Sequence, residues 1–82
     1  MIITWDEPKR LANIEKHAMD FADLTLEFFA RAAIGPAKGG RLYAIGELDG
    51  VVTVIFARLG TEAISVVSMR PASVKERRSI DG

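Results

Sequence analysis

Apolar and polar positions along the chain alternate in two different periods. Ile2 to Trp5 is a short β-branched and aromatic run, which predicts a strand. Asp6 then stands where a helix N-cap would, with Glu7 and Pro8 in the first turn, where amides lack partners anyway. A helix over about 7–18 follows. Behind Asp20, the positions Phe21, Leu24, Thr25, Phe28 and Phe29 recur at helical spacing and predict a second helix over about 20–30 with an aromatic face. From residue 31 onward the period shortens to that of strands, and Gly35-Pro36, Gly39-Gly40, Asp49-Gly50 and Gly60 punctuate the apolar runs. Asp-Gly between such runs is a hairpin signal, because both turn positions want positive φ. Strands are expected at about 31–35, 41–48, 51–58 and 63–69, as an antiparallel meander. Past Pro71, Ser73-Val-Lys-Glu76 has the spacing of a capping box and predicts a short helix from Val74 to about Ile80. The order β-α-α-β-β-β-β-α groups helices at the ends and strands in the middle, an α+β pattern.

Residues 1–82 suit one domain, with an apolar fraction of 49% that supports a compact core. Cysteine is absent, which removes disulfides and thiolate metal sites and fits a cytoplasmic protein. The longest apolar run, Val51 to Ala57, is interrupted at Thr53 and far short of the roughly 20 residues of a membrane helix. No basic segment followed by an apolar one opens the chain, so no signal peptide is expected. Formal net charge is zero, which alone gives nucleic-acid binding no support. The distribution alters that picture slightly. Residues 1–50 hold six Lys/Arg against eight Asp/Glu, whereas residues 51–82 hold five against three. Arg70, Lys75, Arg77 and Arg78 supply most of the C-terminal excess.

Two groups of residues are candidates for chemistry. On a helical wheel of about 100° per residue, Lys9, Asn13, His17, Arg10 and Lys16 share an arc of about 120°, with Leu11 and Ile14 on the expected core side. For this segment alone the ordinary solvated face of an amphipathic helix is the favoured reading of the arc. The lone His is what favours a site, since imidazole exchanges protons near neutral pH. Arg58 ends one predicted strand and Arg70 the next; antiparallel neighbours would put the two at opposite ends. Arg70 adjoins Arg77 and Arg78. A set of Arg, Lys and one His suits phosphate binding and metal-free proton transfer. One His and no Cys argue against zinc, and no glycine-rich nucleotide loop is present, so no cofactor is expected.

The segment WDEPKRLANIEKHAMDFAD resembles the opening of BrnT-type toxins through Trp5, Asp6, Lys9, Asn13, Lys16, His17 and Phe21. ISVVSMRPASVKERR resembles their C-terminal motif through Ile64, Ser68, Arg70, Ala72, Glu76, Arg77 and Arg78. The resemblance spans nearly the whole chain. It implies a RelE-like fold, with two N-terminal helices and a short C-terminal helix on an antiparallel sheet. It further implies a ribonuclease toxin of a type II toxin–antitoxin pair that cuts RNA without metal and inhibits translation. The implied partner is a BrnA-like, ribbon-helix-helix DNA-binding antitoxin that covers the active face. Carried over, Lys16 or His17 would be base or acid, Arg58 and Arg70 would hold phosphate, and Lys9, Arg10, Asn13, Arg77 and Arg78 would contact RNA. Two positions depart from the family pattern. Ala18 replaces the usual Gly after Lys-His, and Ser79-Ile80 stands where a Tyr usually follows Glu-Arg-Arg. The second departure leaves open a catalytically weak or inactive module that still pairs with an antitoxin-like protein.

Overall fold

The computed structural model describes the backbone of residues 1–81 and the side chains of residues 1–80. Five strands, β1 (Ile2–Trp5), β2 (Ala33–Pro36), β3 (Leu42–Glu47), β4 (Val51–Leu59) and β5 (Ala63–Pro71), form one sheet in the order β1-β5-β4-β3-β2. The helices are α1 (Glu7–His17), α2 (Leu26–Arg31) and α3 (Val74–Asp81). Strands β2 to β5 are the expected antiparallel meander. The sheet as a whole is mixed, not antiparallel, because β1 runs parallel to β5, pairing Ile2 with Ala63 through Trp5 with Val66. That pairing joins the two ends of the chain and has no local sequence signal.

The β3–β4 hairpin forms where Asp49-Gly50 predicts it, with φ of 51° and 109° at the two residues. The Gly50 amide donates to Glu47 Oε1 at 3.1 Å and closes the turn. The α3 capping box is present in both halves: Glu76 N–H donates to Ser73 Oγ (3.1 Å) and Ser73 N–H to Glu76 Oε1 (2.8 Å).

The second predicted helix is not continuous. Phe21–Asp23 makes a single 3₁₀ turn, Leu24 is extended, and α2 begins only at Leu26. Two capping side chains five residues apart explain the break. Asp20 accepts from Ala22 N–H at 2.8 Å, and Thr25 accepts from Phe28 N–H at 3.1 Å, so each starts its own turn. The aromatic spacing survives, because Phe21, Leu24, Phe28 and Phe29 still reach one sheet face, over Val54, Phe56, Ile64, Val66 and Met69. Phe29 meets Phe28 and Phe56 edge to face, with centroids 5.2 and 5.3 Å apart. A side chain at Gly46 would come within 3.1 Å of the Phe28 ring, so glycine there lets α2 lie close on the sheet.

α3 packs on the opposite face, above Tyr43, Ile45, Thr53 and Ile55. It brings little apolar surface, since Val74 is exposed and Ile80 only half-buried. Polar contacts hold it instead.

α1 ends at Ala18 in the left-handed region, φ 56° and ψ 31°, where its N–H bonds Ile14 C=O at 2.8 Å. A Cβ in that conformation costs about 1 kcal/mol. Ala18→Gly is therefore expected to raise the melting temperature by about 4–8 °C in a domain of this size. Thermal melts monitored by circular dichroism check this; an unchanged or lowered midpoint contradicts it.

Candidate active site

α1 lies along β5 through polar groups rather than through an apolar stripe. Asn13 is 6% exposed and supplies the principal contact. Its Oδ1 accepts from Met69 N–H at 3.0 Å, and its Nδ2 donates to Met19 C=O at 2.9 Å. β1 pairs with β5 only as far as Val66, so Asn13 satisfies an edge amide that no strand reaches. Arg10 is engaged too. It forms a two-pronged ion pair with Asp20, Nε to Oδ1 at 2.9 Å and Nη2 to Oδ2 at 3.3 Å, and meets Glu7 at 3.0 Å. The Asp20 carboxylate is held below its ordinary pKa, by the Ala22 amide first and by Arg10 after it.

The expected polar arc of α1 thus divides. Arg10, Asn13 and His17 turn toward the body of the protein, while Lys9 and Lys16 point to solvent. Asn13 is a structural clamp, not an exposed RNA contact, and Arg10 is tied to two carboxylates. Leu11, expected in the core, is 55% exposed, and Ile14 is half-buried as its side of the wheel predicts. The helix has too few apolar residues to define a core face, and hydrogen bonding to the β5 edge sets its rotation.

His17 is half-buried, one turn beyond Asn13, and its ring makes no hydrogen bond among the described residues. Arg70 follows Met69, the residue Asn13 holds. Lys16, His17 and Arg70 therefore lie at one end of the sheet. Ala18 and Met19 border a hollow on the α2 face with Met69, Val52, Leu48 and the carboxylates of Asp20, Asp23 and Asp49, whereas Arg70 emerges on the α3 face.

Arg70 is not a bare strand-end charge. Its Nη1 and Nη2 bind Glu76 Oε1 and Oε2 at 2.7 and 2.9 Å, a bidentate pair, and Nη1 also donates to Pro71 C=O at 3.3 Å. Glu76 accepts in addition from Thr53 Oγ1 at 3.0 Å and from the Ser73 amide. One carboxylate thus joins β4, β5 and α3. Arg70 above all, with Ser73 and Thr53, holds the Glu76 carboxyl down at about 2 against partial burial, and the pair raises Arg70 in turn. The sequence reading missed Thr53; the capping box and the C-terminal motif both pointed to Glu76, but neither carried Thr53 to its carboxylate. Arg77 and Arg78 are exposed on α3.

Arg58 does not join this cluster. Thr53 is the register partner of Arg70, and Arg58 lies five residues further along β4, roughly 16 Å at strand rise. It also sits on the α2 face of the sheet, bordering Phe29 and Phe56, whereas Arg70 sits under α3. Antiparallel pairing of β4 with β5 separates the two guanidiniums, so they cannot hold one phosphate.

Residues 5–76 match the family model of BrnT, the ribonuclease toxin of type II toxin–antitoxin systems. The 1.1 Å crystal structure of the Brucella abortus ribonuclease toxin BrnT is similar over 89% of this chain and 97% of that one, at 56% identity and a TM-score of 0.84. No curated protein sequence matches at a significant level. Fold and sequence together define a ribonuclease toxin of the type II toxin–antitoxin class. Within that class, the chain belongs to the BrnT family.

Two outcomes follow from the clamps. Asn13→Ala leaves Met69 N–H and Met19 C=O without partners in a buried place, an expected loss of about 2–3 kcal/mol. A chemical denaturation midpoint checks this, and an Asn13→Ala chain as stable as wild type contradicts the structural role. For Glu76, the folded pKa of about 2 lies below the ordinary 4.5, so its stabilisation is present above pH 4.5 and lost as pH falls from there toward 2. Wild-type stability should fall in that window by on the order of 2 kcal/mol once solvent screening is allowed for, read as a lower melting temperature. Glu76→Gln should melt lower at neutral pH, with the gap closing at low pH. A gap that persists at pH 2 would contradict the ion-pair account.

Proposed function

We propose that this toxin cleaves RNA by metal-independent transfer at the β5 end of the sheet, using Lys16 and His17 as the proton-transfer pair and Arg70 as the phosphate-binding cation. What supports this reading is that Asn13, one turn before His17, holds the amide of Met69, the residue next to Arg70, and that Glu76 fixes the Arg70 guanidinium. The RNA 2′-hydroxyl oxygen attacks the adjacent phosphorus as the base takes its proton. The 5′-oxygen of the next nucleotide leaves and receives a proton from the acid, giving a 2′,3′-cyclic phosphate and a 5′-hydroxyl end. Arg70 stabilises the charge that builds on the phosphoryl oxygens. Fixed in place before substrate arrives, it needs no reorganisation to do so. Lys9, Arg77 and Arg78, all exposed, extend the cationic surface along the RNA.

The same reading gives the chain a RelE-like fold, an RNA substrate in the cytoplasm and inhibition of translation as its effect. Among the described residues no helix is long and apolar enough to cross a membrane. The partner is a BrnA-like ribbon-helix-helix antitoxin from the same operon.

The test uses a labelled RNA with the purified toxin. His17→Ala should cut at least about 100-fold more slowly, as for loss of a general acid or base. Arg70→Ala should lose a similar factor and also melt lower, because Glu76 loses its cation. Arg70→Lys separates the two effects: it keeps the charge and most of the stability but lacks the fork that Glu76 orients. Wild-type cleavage by folded Arg70→Ala would remove Arg70 from the site. Failure of the wild-type chain to cut RNA would overturn the reading altogether.

A further inference from the structure

At the sheet end opposite Arg70, on the face covered by α2, the surface opens into a groove of about 480 Å³. Met1, Leu26, Phe29 and Ile34 line it, and Arg58 is the charged side chain at its margin. Leu26 and Ile34 are 50% and 47% exposed, so the lining is open to solvent. Ile2 and Leu59, both exposed, flank Ala63 at the same end of the sheet but point to the opposite face, outside the groove. Contiguous apolar exposure such as the groove's marks a docking surface, whereas single exposed residues such as Leu11 do not. Among the described residues Arg58 forms no ion pair, and no carboxylate side chain lines the groove to compete for it. A guanidinium at the lip of an apolar groove is matched by a carboxylate on an otherwise apolar segment.

We propose that this groove anchors the antitoxin, a segment of which lays bulky aliphatic or aromatic side chains against Leu26, Phe29 and Ile34 and gives a carboxylate to Arg58. The inference rests on the antitoxin partner of the preceding reading. Charge decides between occupants. A second copy of this chain is a poor match, because two-fold pairing would bring two Arg58 guanidiniums into the same interface. RNA is a poor match as well, since it needs rows of cations and the groove has one cationic side chain among the described residues. The groove alone is smaller than the roughly 800 Å² per partner of a stable complex, so the antitoxin must continue past it. Its anchor nevertheless lies at the far end of the sheet from His17 and Arg70. Holding the toxin and covering its site are then separate contacts.

The experiment measures binding of the purified antitoxin from the same operon to wild-type toxin, Leu26→Glu, Arg58→Glu and Arg58→Lys by titration calorimetry. Leu26 is the first residue of α2, where a carboxylate is favoured, so the helix should survive the change. Leu26→Glu and Arg58→Glu should each weaken binding by about 100-fold, as for residues central to an interface, and Arg58→Lys by less. Leu26→Glu should cleave RNA at the wild-type rate and escape neutralisation in growing cells. Binding by wild type that survives both Glu substitutions overturns the groove and leaves the partner reading standing. No binding by the wild-type chain overturns both. A toxin dimer at micromolar concentration that Leu26→Glu dissolves would make the groove a self-interface and also overturn the proposal.

Discussion

β1 stops at Trp5 while β5 runs on to Pro71, and the consequences of that mismatch organise the molecule. Past Val66 the edge of β5 has no strand beside it. A buried backbone amide without a partner costs about 1–3 kcal/mol, so a side chain must supply what the strand does not. Asn13 does so from α1, accepting from Met69 and donating to Met19. That contact decides which way α1 faces, and so where Lys16 and His17 come to rest. It also leaves the end of β5 uncovered, which keeps Arg70 partly accessible. A full-length β1 would satisfy the edge but bury the surface on which the proposed chemistry takes place.

The second clamp works on the other side of the sheet. α3 has too little apolar surface to dock by burial, and the Glu76 carboxylate receives donors from β4, β5 and the helix's own first turn. Such a pair is weak evidence for stability, since desolvation offsets much of the attraction. Its clearer contribution is geometric: two parallel hydrogen bonds fix the plane of the Arg70 guanidinium. A residue read at first as a helix cap is thereby also what orients the cation.

These clamps explain how much was legible beforehand. Strand runs, the Asp49-Gly50 hairpin and the Ser73–Glu76 box are local signals, and all three formed as read. The helix over 20–30 broke because Asp20 and Thr25 each cap a turn, a conflict that aromatic spacing conceals. The face of α1 was misassigned because the usual rule places apolar residues inward, and Asn13 and Arg10 pack inward through hydrogen bonds while Leu11 remains in water. The parallel pairing of β1 with β5 joins residues about sixty positions apart, beyond any local pattern. The family motifs name residues, but motif membership does not separate a clamp such as Asn13 from a side chain unpaired among the described residues, such as His17, nor does it show that Arg58 and Arg70 lie at opposite ends.

That separation is the central claim: one end of the sheet handles RNA and the other holds the protein partner. The most direct test is a nuclear magnetic resonance titration of isotopically labelled toxin with a 2′-O-methyl RNA oligonucleotide, which lacks the attacking hydroxyl and cannot be cut. Shifts concentrated at Lys16, His17, Arg70, Arg77 and Arg78, with Leu26, Ile34 and Arg58 unmoved, are the predicted result. Shifts concentrated around Arg58 and the α2 groove would contradict the account.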